Sequence, residues 1–245
     1  MIMKAIGDFL YKIYFIIIFV PLQIVFTVIS ALLCIVLFPL IGPDKVSHHI
    51  GLFWGRSIVY SSLTPVKVYG REKLDPDKSY ILIANHASSF DIYAIFGWIG
   101  RNIRWVMKKE LTKIPLFGWA TRASGQIAVD RSNSQAAIDS INEARETMKP
   151  GVSIMFFPEG TRSRDGKLKV FKKGAYHFAF DMCLDLVPIT IKGAYKVKTP
   201  GKLLGSKGKI EIFIHDPVKI DSHDRNEMKK LIDHTKEIIA APLNE

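Results

Sequence analysis

Two short polar stretches of the sequence contain side chains that could do chemistry, and the first pairs a histidine with an aspartate. This stretch, NHASSFD over Asn85–Asp91, places His86 five residues before Asp91. A carboxylate that accepts a hydrogen bond from imidazole Nδ1 fixes the tautomer and leaves Nε2 free to take a proton. The spacing by itself is weak support for such a pair, because a structural histidine is the better interpretation of an isolated motif of this kind.

The sequence lacks the motifs of common protein nucleophiles, and this absence indicates what kind of reaction His86 could catalyse. It contains no G-x-S-x-G elbow, and neither Cys34 nor Cys183 has a basic neighbour that would activate a thiol. Ser88 and Ser89 could act as nucleophiles, but we expect them to cap the helix that follows them. His86 would therefore act as a general base on a hydroxyl group that belongs to a substrate.

The second stretch, FPEGTRS over Phe157–Ser163, has the composition of an anion-binding turn. Gly160 allows close approach of the backbone, Thr161 offers a hydroxyl, and Arg162 offers a fork of donors that matches phosphate. Glu159 is expected to hold a nearby arginine through an ion pair. Taken alone, the stretch could equally be a polar turn with no ligand.

Both stretches follow short β-rich runs, and in α/β sheets the loops after such strands open into a crevice. Strands are predicted where β-branched or aromatic residues lie between turn residues, at Val66–Tyr69, Tyr80–Ala84, Ile103–Met107, Gln126–Val129, Ser153–Phe157, Leu186–Ile191 and Lys209–Ile214. Helices are predicted over 90–99, 114–122, 133–149, 172–182 and 223–240. This alternation predicts a single α/β domain, with a central, largely parallel (mixed) sheet of about seven strands flanked by helices.

The net charge and the apolar N-terminus indicate which partners the chain has. Hydrophobic residues make up 48% of the 245 residues, which excludes a disordered chain, and the formal net charge is +11. That charge suits nucleic acid, an anionic membrane or a phosphorylated substrate. Residues 13 to 43 carry no charged side chain, and the chain lacks the interleaved aromatic and basic residues of a nucleic-acid binder. We therefore predict a membrane partner, no nucleic acid, and no metal site.

The apolar run is longer than the roughly 20 residues that cross a bilayer as a helix, and Pro21 and Pro39 interrupt it. It could therefore meet a bilayer in two ways. One interpretation is a single spanning helix. The other is a helix that enters one leaflet, turns, and returns as an amphipathic helix over 44–62. Because positive flanks favour the cytoplasmic side, the second, monotopic interpretation is preferred. The flanking charges are Lys4, Lys12, Lys45 and Arg56.

The two polar stretches together resemble motifs of the glycerolipid acyltransferase family, N-H-x-x-x-x-D and F-P-E-G-T-R-S. Two further segments are similar to other blocks of that family. One consists of Lys108–Leu111, Ile114–Trp119 and Asp130–Arg131, and the other is the apolar Val187–Ile191. The four blocks occur in the family's order, and the closer resemblance is to its 1-acylglycerol-3-phosphate (lysophosphatidate) acyltransferases.

The resemblance implies transfer of a fatty acyl group from a thioester, either acyl-CoA or acyl-acyl-carrier protein, to the sn-2 hydroxyl of lysophosphatidic acid. The product would be phosphatidic acid for phospholipid synthesis, and no cofactor is needed besides the acyl donor. His86, held by Asp91, would be the general base, with no acyl-enzyme intermediate. The residues implied to hold the acceptor's phosphate are Glu159, Gly160, Thr161 and Arg162, with Lys108 and Arg131 as further candidates.

The resemblance does not extend to the N-terminus. Residues 1–62 are therefore assigned as membrane-anchoring helices, and residues 63–245 as a catalytic domain on the cytoplasmic face of the membrane. Two alternatives stay open: an acceptor such as glycerol-3-phosphate or another lysolipid, and a non-catalytic lipid-binding protein, which would have no need of a base. Four apolar residues could line an acyl tunnel, although core packing is expected of them: Ile92, Ile95, Phe96 and Trp98.

Overall fold

The N-terminal apolar run is helical almost from its first residue. The computed structural model describes residues 2–130, 139–140, 142–143, 146–220 and 224–244. In it, helix α1 (Ile2–Tyr14) continues through one π-helical turn (Phe15–Phe19) into helix α2 (Val20–Ser61). The wide turn lies just before Pro21, whose ring would clash with the carbonyl four residues earlier in a regular helix.

Helix α2 reverses direction at Gly42, whose φ of 78° and ψ of 166° lie outside the helical region. The two arms that result run antiparallel. The Tyr11 hydroxyl donates to the Ser62 carbonyl at 2.9 Å, and Trp54 Nε1 donates to Thr27 Oγ1 at 3.0 Å. The structure thus contains the return helix that was expected over 44–62, and the two arms are called the hairpin below.

The described residues form one seven-stranded sheet: β1 (Val66–Tyr69), β2 (Ile81–Ala84), β3 (Asn102–Lys108), β4 (Ile127–Val129), β5 (Val152–Phe156), β6 (Leu186–Lys192) and β7 (Ile210–Ile214). Their order is β1-β7-β6-β2-β5-β3-β4, and the pairing is parallel except between β6 and β7. The predicted α/β fold class is confirmed, and each predicted strand is present with bounds within about one residue of those observed.

The remaining helices are α3 (Phe90–Trp98), α4 (Phe117–Ala123), α5 (Gly174–Met182), α6 (Ala194–Val197) and α7 (Met228–Ala240). Helices α5 and α7 cover one face of the sheet, and α3 and the hairpin cover the other, so each face has its own hydrophobic core. Strand β2 contributes to both: Ile81 and Ile83 point to the first core, and Leu82 and Ala84 to the second. All four are fully buried, as expected of a central parallel strand.

Three predicted helices differ from the observed ones. The helix expected over 114–122 begins only at Phe117, because Lys109–Lys113 forms a 3₁₀ turn and Leu116 adopts a positive φ of 63°. The helix expected over 223–240 begins at Met228, after another 3₁₀ turn. Most of the helix expected over 133–149 lies outside the described residues.

The hairpin shares the core of the α/β domain along much of its length. Phe15 and Phe19 are each 1% exposed, and Phe19 stacks on Phe90 of α3 with ring centroids 5.8 Å apart. From the return arm, Ile58 and Val59 are fully buried in the same core. The outward face of the hairpin is apolar and exposed, and its helical segment Ala5–Ser61 is long and apolar enough to cross a membrane.

Candidate active site

The loop between β2 and α3 brings His86 and Asp91 into contact. His86 Nδ1 lies 2.8 Å from Asp91 Oδ2. The same oxygen accepts hydrogen bonds from the backbone N–H groups of Ala87 and Ser88, each at 2.7 Å. Because this oxygen is already an acceptor for two amides, Nδ1 must carry the proton that it shares with Asp91. The Nε2 atom of His86 is therefore left unprotonated and able to act as a base.

The carboxylate of Asp91 is fully buried, which would be costly for a charge in apolar surroundings. Three hydrogen-bond donors surround its Oδ2, and the side chain lies in the first turn of α3, where the helix dipole favours negative charge. These contacts offset the cost of burying a negative charge, and no lysine or arginine among the described residues forms an ion pair with it. The negative charge can then stabilise an imidazolium when His86 takes a proton.

The plane of the His86 ring is set by an aromatic neighbour. Phe157, the first residue after β5, stacks on the imidazole with centroids 3.8 Å apart and an interplanar angle of 6°. Trp105 of β3 lies behind Phe157, with centroids 5.1 Å apart. The side chain of His86 is 11% exposed, so one edge of the ring is open while both its orientation and its tautomer are fixed.

Glu159 joins the two predicted motifs through the backbone. Its Oε1 accepts the His86 N–H at 2.7 Å, and its Oε2 accepts the Lys169 N–H at 3.0 Å. The Ser163 N–H in turn donates to the His86 carbonyl at 2.7 Å. Burial raises the pKa of Glu159 above its usual range, against the lowering effect of the two amides. Among the described residues it has these backbone partners and no arginine, in place of the ion pair expected from the sequence.

The residues after Glu159 are presented at the surface of the loop. Gly160 has a φ of 75°, a left-handed conformation that glycine adopts without strain. Thr161 and Arg162 are both exposed. The Thr161 hydroxyl accepts a hydrogen bond from Lys169 Nζ at 2.8 Å. The guanidinium of Arg162 makes no ion pair with a described residue, so its fork of donors is available to a ligand.

A second cation, which the sequence motifs did not include, lies near Arg162. Lys198 follows α6, and its carbonyl accepts a hydrogen bond from the buried Ser88 hydroxyl at 2.8 Å. Its pKa is lowered, first by partial burial and then by the positive charge of Arg162. Two cations that repel each other in this way form a favourable site for an anion.

Of the other predicted phosphate residues, Lys108 lies at the end of β3, next to Lys109. Lys108 and Lys109 are 59% and 58% exposed, and they pair with Glu110 at 3.1 Å and Asp130 at 3.9 Å. Lys108 borders the same cavity as His86 and Gly160, described below. Arg131 lies outside the described residues. The roles of Lys108 and Arg131 in phosphate binding stay predictions.

Asn85 is a positioning residue whose task the sequence did not indicate. Its side-chain Oδ1 accepts the Ile191 N–H at 2.7 Å, and its Nδ2 donates to the Ile191 carbonyl at 2.9 Å. The amide therefore extends the pairing of β2 with β6 by one step beyond the end of the strand. This contact fixes the start of the loop that carries His86.

A large cavity of about 750 Å³ lies between the hairpin and the α/β domain and reaches His86. Its walls are mainly apolar, and Ile92 and Phe96 of the proposed tunnel residues contribute to them. Ile95, by contrast, is fully buried in the core, as expected for packing. The volume falls in the range of sites that enclose extended small molecules, about 300–1,000 Å³.

One wall of the cavity comes from the first arm of the hairpin. Gln23, Thr27 and Ser30 recur at helical spacing in an otherwise apolar run, and all three line the cavity. Gln23 Nε2 donates to the Tyr93 hydroxyl at 2.9 Å, which connects the hairpin to α3 beside the active site. The spacing of these polar residues is a sequence signal that could have identified this face of the helix.

The region that carries both motifs matches a known family. The sequence model described as Acyltransferase matches residues 65–192, more than half of the chain. The chain belongs to the acyltransferase family. The matched region of this acyltransferase extends from β1 to the end of β6 and includes His86, Asp91 and Arg162, so the resemblance inferred from the motifs is confirmed.

Several relatives of this acyltransferase are 1-acyl-sn-glycerol-3-phosphate acyltransferases. The chloroplastic enzyme LPAT1 of Arabidopsis thaliana is 32% identical over 71% of this chain and 49% of its own length. That of Cocos nucifera is 35% identical over 76% of this chain and 59% of its own. That of Saccharomyces cerevisiae is 29% identical over 99% of this chain and 80% of its own. The chain spans about half the length of the chloroplastic relative.

A solved structure shares the whole architecture of this acyltransferase. The crystal structure of the 1-acyl-sn-glycerophosphate (LPA) acyltransferase PlsC from Thermotoga maritima is 27% identical in sequence. The match covers 98% of this chain and 96% of the other, with a TM-score of 0.79. The likeness therefore includes the N-terminal helices as well as the sheet.

Proposed function

We propose that the chain transfers a fatty acyl group from an acyl thioester, of coenzyme A or of acyl carrier protein, to the sn-2 hydroxyl of lysophosphatidic acid. The product is phosphatidic acid. The observation that carries the proposal is the position of His86, which borders a mainly apolar cavity and whose loop is hydrogen-bonded to the segments that carry Arg162 and Lys198. The relatives are named as 1-acyl-sn-glycerol-3-phosphate acyltransferases, which favours lysophosphatidate over glycerol-3-phosphate as the acceptor.

The reaction needs one proton carrier and no protein nucleophile. His86 Nε2 removes the proton of the acceptor hydroxyl while the hydroxyl oxygen attacks the thioester carbonyl. Asp91 stabilises the imidazolium that forms. When the tetrahedral intermediate collapses, the ester bond remains, the carbon–sulfur bond breaks, and the leaving thiolate takes the proton back from His86. The base returns to its starting state in each cycle.

The acceptor's phosphate is assigned to the cations beside the catalytic loop. Arg162 offers two parallel N–H donors to phosphate oxygens, and Lys198 adds a second positive charge. A bound dianion would relieve the repulsion that lowers the pKa of Lys198 in the free protein. We include the Thr161 hydroxyl as a donor and Gly160 as the residue that allows close approach of the backbone, because the Gly160 N–H itself donates to the Phe157 carbonyl at 3.0 Å. Glu159 is instead assigned to hold the loop, because both its oxygens already accept backbone hydrogen bonds.

The cavity is assigned to a fatty acyl chain. Its mainly apolar walls would exclude water from the chain and from the reacting carbonyl, and burial of the chain would supply binding free energy. Because the cavity reaches His86 at one end, a chain inside it places its carboxyl carbon near the base. No metal or cofactor is needed for this transfer.

The hairpin is assigned to one leaflet of the membrane, with the catalytic domain on the cytoplasmic face. Its outward side chains are apolar and strongly exposed, among them Ile17, Ile24, Val36 and Leu40. A continuous apolar surface of this kind is unfavourable in water and is typical of an interaction site. The return arm contains Asp44, Lys45 and Arg56, whose transfer to the bilayer centre would be costly.

Packing supports a hairpin that stays in one leaflet. Ser47 Oγ donates to the Ile103 carbonyl at 2.8 Å, and Arg56 Nε donates to the Gly97 carbonyl at 2.9 Å, so the return arm lies against the domain. A helix that contacts the domain along its length cannot at the same time be surrounded by lipid. Both ends of the hairpin also lie at the same end of the molecule, as the contact between Tyr11 and Ser62 requires.

An assay that crosses donors with acceptors tests the proposal. Purified protein in mixed micelles is given acyl-CoA or acyl-acyl-carrier protein as donor, with lysophosphatidate, glycerol-3-phosphate or lysophosphatidylcholine as acceptor. We expect transfer to lysophosphatidate to have the highest kcat/KM with at least one donor. Faster transfer to glycerol-3-phosphate, or no transfer by the wild-type chain to any acceptor, would contradict the proposed function.

A further inference from the structure

The exposed apolar side chains of the α/β domain are concentrated at one edge of the sheet. Beyond Leu63, six large hydrophobic side chains of the described residues are strongly exposed, and five of them lie on three segments. These segments follow β3, β5 and β6, the parallel strands whose carboxyl ends surround His86. The five are Leu111, Ile114, Trp119, Val170 and Leu203, of which Trp119, Val170 and Leu203 are 59%, 79% and 76% exposed.

The same three segments account for most of the net positive charge of the chain. Residues 109–119, 157–173 and 193–208, called the catalytic-edge loops here, contain twelve lysines and arginines and three carboxylates. They therefore hold a net +9 of the formal +11 of the whole protein. One of the three carboxylates, Glu159, is buried and turned inward. Apolar side chains among lysines are typical of a surface that lies in the headgroup region of an anionic bilayer.

The catalytic-edge loops contact the hairpin near both of its ends. Near the start of the hairpin, Gly205 lies directly against the Phe15 ring, and Lys207 Nζ lies 5.7 Å above the ring of Tyr11. Near its tip, Leu116 packs with Leu33 and Leu37 in one apolar cluster. The catalytic-edge loops thus contact the hairpin near both of its ends.

We propose that the catalytic-edge loops dock onto the headgroup region of an anionic lipid bilayer, as a second membrane contact that is separate from the hairpin. Trp119, Val170 and Leu203 enter the interface, and the surrounding lysines contact lipid phosphates. The docked domain holds the mouth of the cavity against the leaflet, so a lysolipid reaches His86 without passing through water. The role of this contact in delivering a lysolipid rests on the proposed function, whereas the docking itself is argued only from the exposed side chains and charges of the loops.

The arrangement favours a bilayer over an acidic carrier protein. The exposed apolar residues lie on three separate segments that follow β3, β5 and β6, and these segments also contact the hairpin. A flat, extended partner can contact all of them at once. A small acidic carrier protein would contact one compact patch. Loss of that contact would lower activity with acyl-acyl-carrier protein and leave activity with acyl-CoA unchanged.

Trp119 is itself a probe of the docked state. Full-length protein is mixed with vesicles of phosphatidylcholine and phosphatidylglycerol in which a lipid carries bromine at a shallow chain position. We expect bromine to quench tryptophan fluorescence, and the quenching to be clearly smaller in Trp119→Phe, which keeps Trp105, Trp98 and the hairpin's Trp54. Equal quenching of the wild type and of this variant would overturn the proposal. The measurement needs no turnover, so its result is independent of the acceptor that the enzyme uses.

A triple variant separates docking from anchoring. Trp119→Ser, Val170→Ser and Leu203→Ser together remove apolar groups that are exposed and outside the cavity. We expect the variant to cosediment with vesicles as before, because the hairpin is intact. Its kcat/KM on lysophosphatidate embedded in vesicles should fall at least about tenfold, while kcat/KM on a short-chain, water-soluble lysophosphatidate stays within about twofold.

The control is Tyr69→Ser, which removes an exposed aromatic side chain at the opposite edge of the sheet and should leave both activities unchanged. Two results would overturn the inference. One is an equal loss on embedded and soluble acceptors, which would indicate damage to the active site. The other is a loss seen only with acyl-acyl-carrier protein, which would assign the loops to the carrier. A wild type that acylated no lysophosphatidate would instead contradict the proposed function, and the quenching result would stand.

Discussion

At the scale of single residues, each contact of His86 constrains a different property of the base. Asp91 sets the tautomer at 2.8 Å, and Phe157 sets the plane of the ring by stacking at 3.8 Å. Glu159 holds the backbone N–H of His86, and Asn85 fixes the start of the loop. Catalytic groups gain most from being held in one geometry before the substrate binds, and these neighbours supply that order.

The first prediction concerns the base and its partner. His86→Ala should lower kcat by about 10²–10⁴-fold, the usual contribution of a positioned general base. Asp91→Asn should lower kcat to a similar extent, because an amide can present a donor to Nδ1 and so place the proton on Nε2. Steady-state kinetics check this, with His234→Ala on the exposed face of α7 as the matched control. Near-normal turnover of His86→Ala would remove the assigned mechanism.

The second prediction separates the acceptor's phosphate from the donor's. Arg162→Lys keeps the charge but loses the two-pronged donor, and Lys198→Gln loses the second charge. Each should weaken acceptor binding by about 1–3 kcal/mol, the range for hydrogen bonds to charged groups. The KM for lysophosphatidate should rise, while the KM for acyl-CoA and the rate on a phosphate-free monoacylglycerol should change little.

Lys196→Gln is the control for this pair, since Lys196 is exposed and lies two residues before Lys198. It should behave as the wild type. If Arg162→Lys raised the KM of acyl-CoA and left that of lysophosphatidate unchanged, Arg162 would belong to the coenzyme's phosphates.

At the scale of elements, the active site depends on how closely the return arm of the hairpin packs on α3. A Cβ placed on Gly55 would lie 2.4 Å from the Tyr93 carbonyl oxygen and 2.7 Å from the Gly97 nitrogen. These atoms belong to the backbone and cannot rotate away. Asp91 lies in the first turn of helix α3, so a shift of this helix would move the partner of His86.

The third prediction follows from that contact. Gly55→Ala should lower the free energy of unfolding by about 1–3 kcal/mol, the usual cost of overpacking, and should reduce kcat as α3 moves. Gly174→Ala is the control, because nothing lies within 4 Å of a Cβ at that helical position. That change should be neutral or stabilise by up to about 1 kcal/mol. Thermal unfolding in detergent gives both values, and equal stability of the two variants would contradict the close packing.

At the scale of the whole molecule, the hairpin belongs both to the core and to the surface that is assigned to the membrane. Phe15, Phe19, Ile58 and Val59 are buried against the domain, while the opposite side of the same helices is exposed and apolar. The division of the chain at residue 62 remains a sequence-based prediction. Removal of residues 1–62 would uncover one side of the sheet core, so we expect the truncated chain to be insoluble.

The fourth prediction tests the monotopic arrangement. Cys183 is exposed on the catalytic domain and serves as a native reference in a Cys34→Ser background. A second chain carries Met3→Cys as its only cysteine, and a third carries Leu40→Cys at the hairpin tip. In sealed vesicles a membrane-impermeant maleimide should label positions 3 and 183 from the same side, and position 40 only after detergent is added. Labelling of positions 3 and 183 from opposite sides would establish a spanning helix instead.

Much of the fold could be predicted because its elements have strong local signals. The seven strands are short β-branched runs between turn residues, and their burial follows from the absence of polar alternation. The late start of α4 was missed because the positive φ of Leu116 is imposed by its surroundings and has no local cause in a leucine. The short helix α6 was missed because four residues carry no periodicity.

The sequence by itself determined the family, the α/β fold, the His86–Asp91 pair and the long apolar N-terminal run, because each is encoded by local residue types or short, fixed spacing. Only the tertiary structure decided the contacts between segments far apart in the chain. It turned Glu159 toward two backbone amides, brought Lys198 beside Arg162, and closed a cavity between the hairpin and α3. These features depend on which surfaces meet when the cores form, and that outcome is set by packing across the whole molecule, so no local pattern contains it.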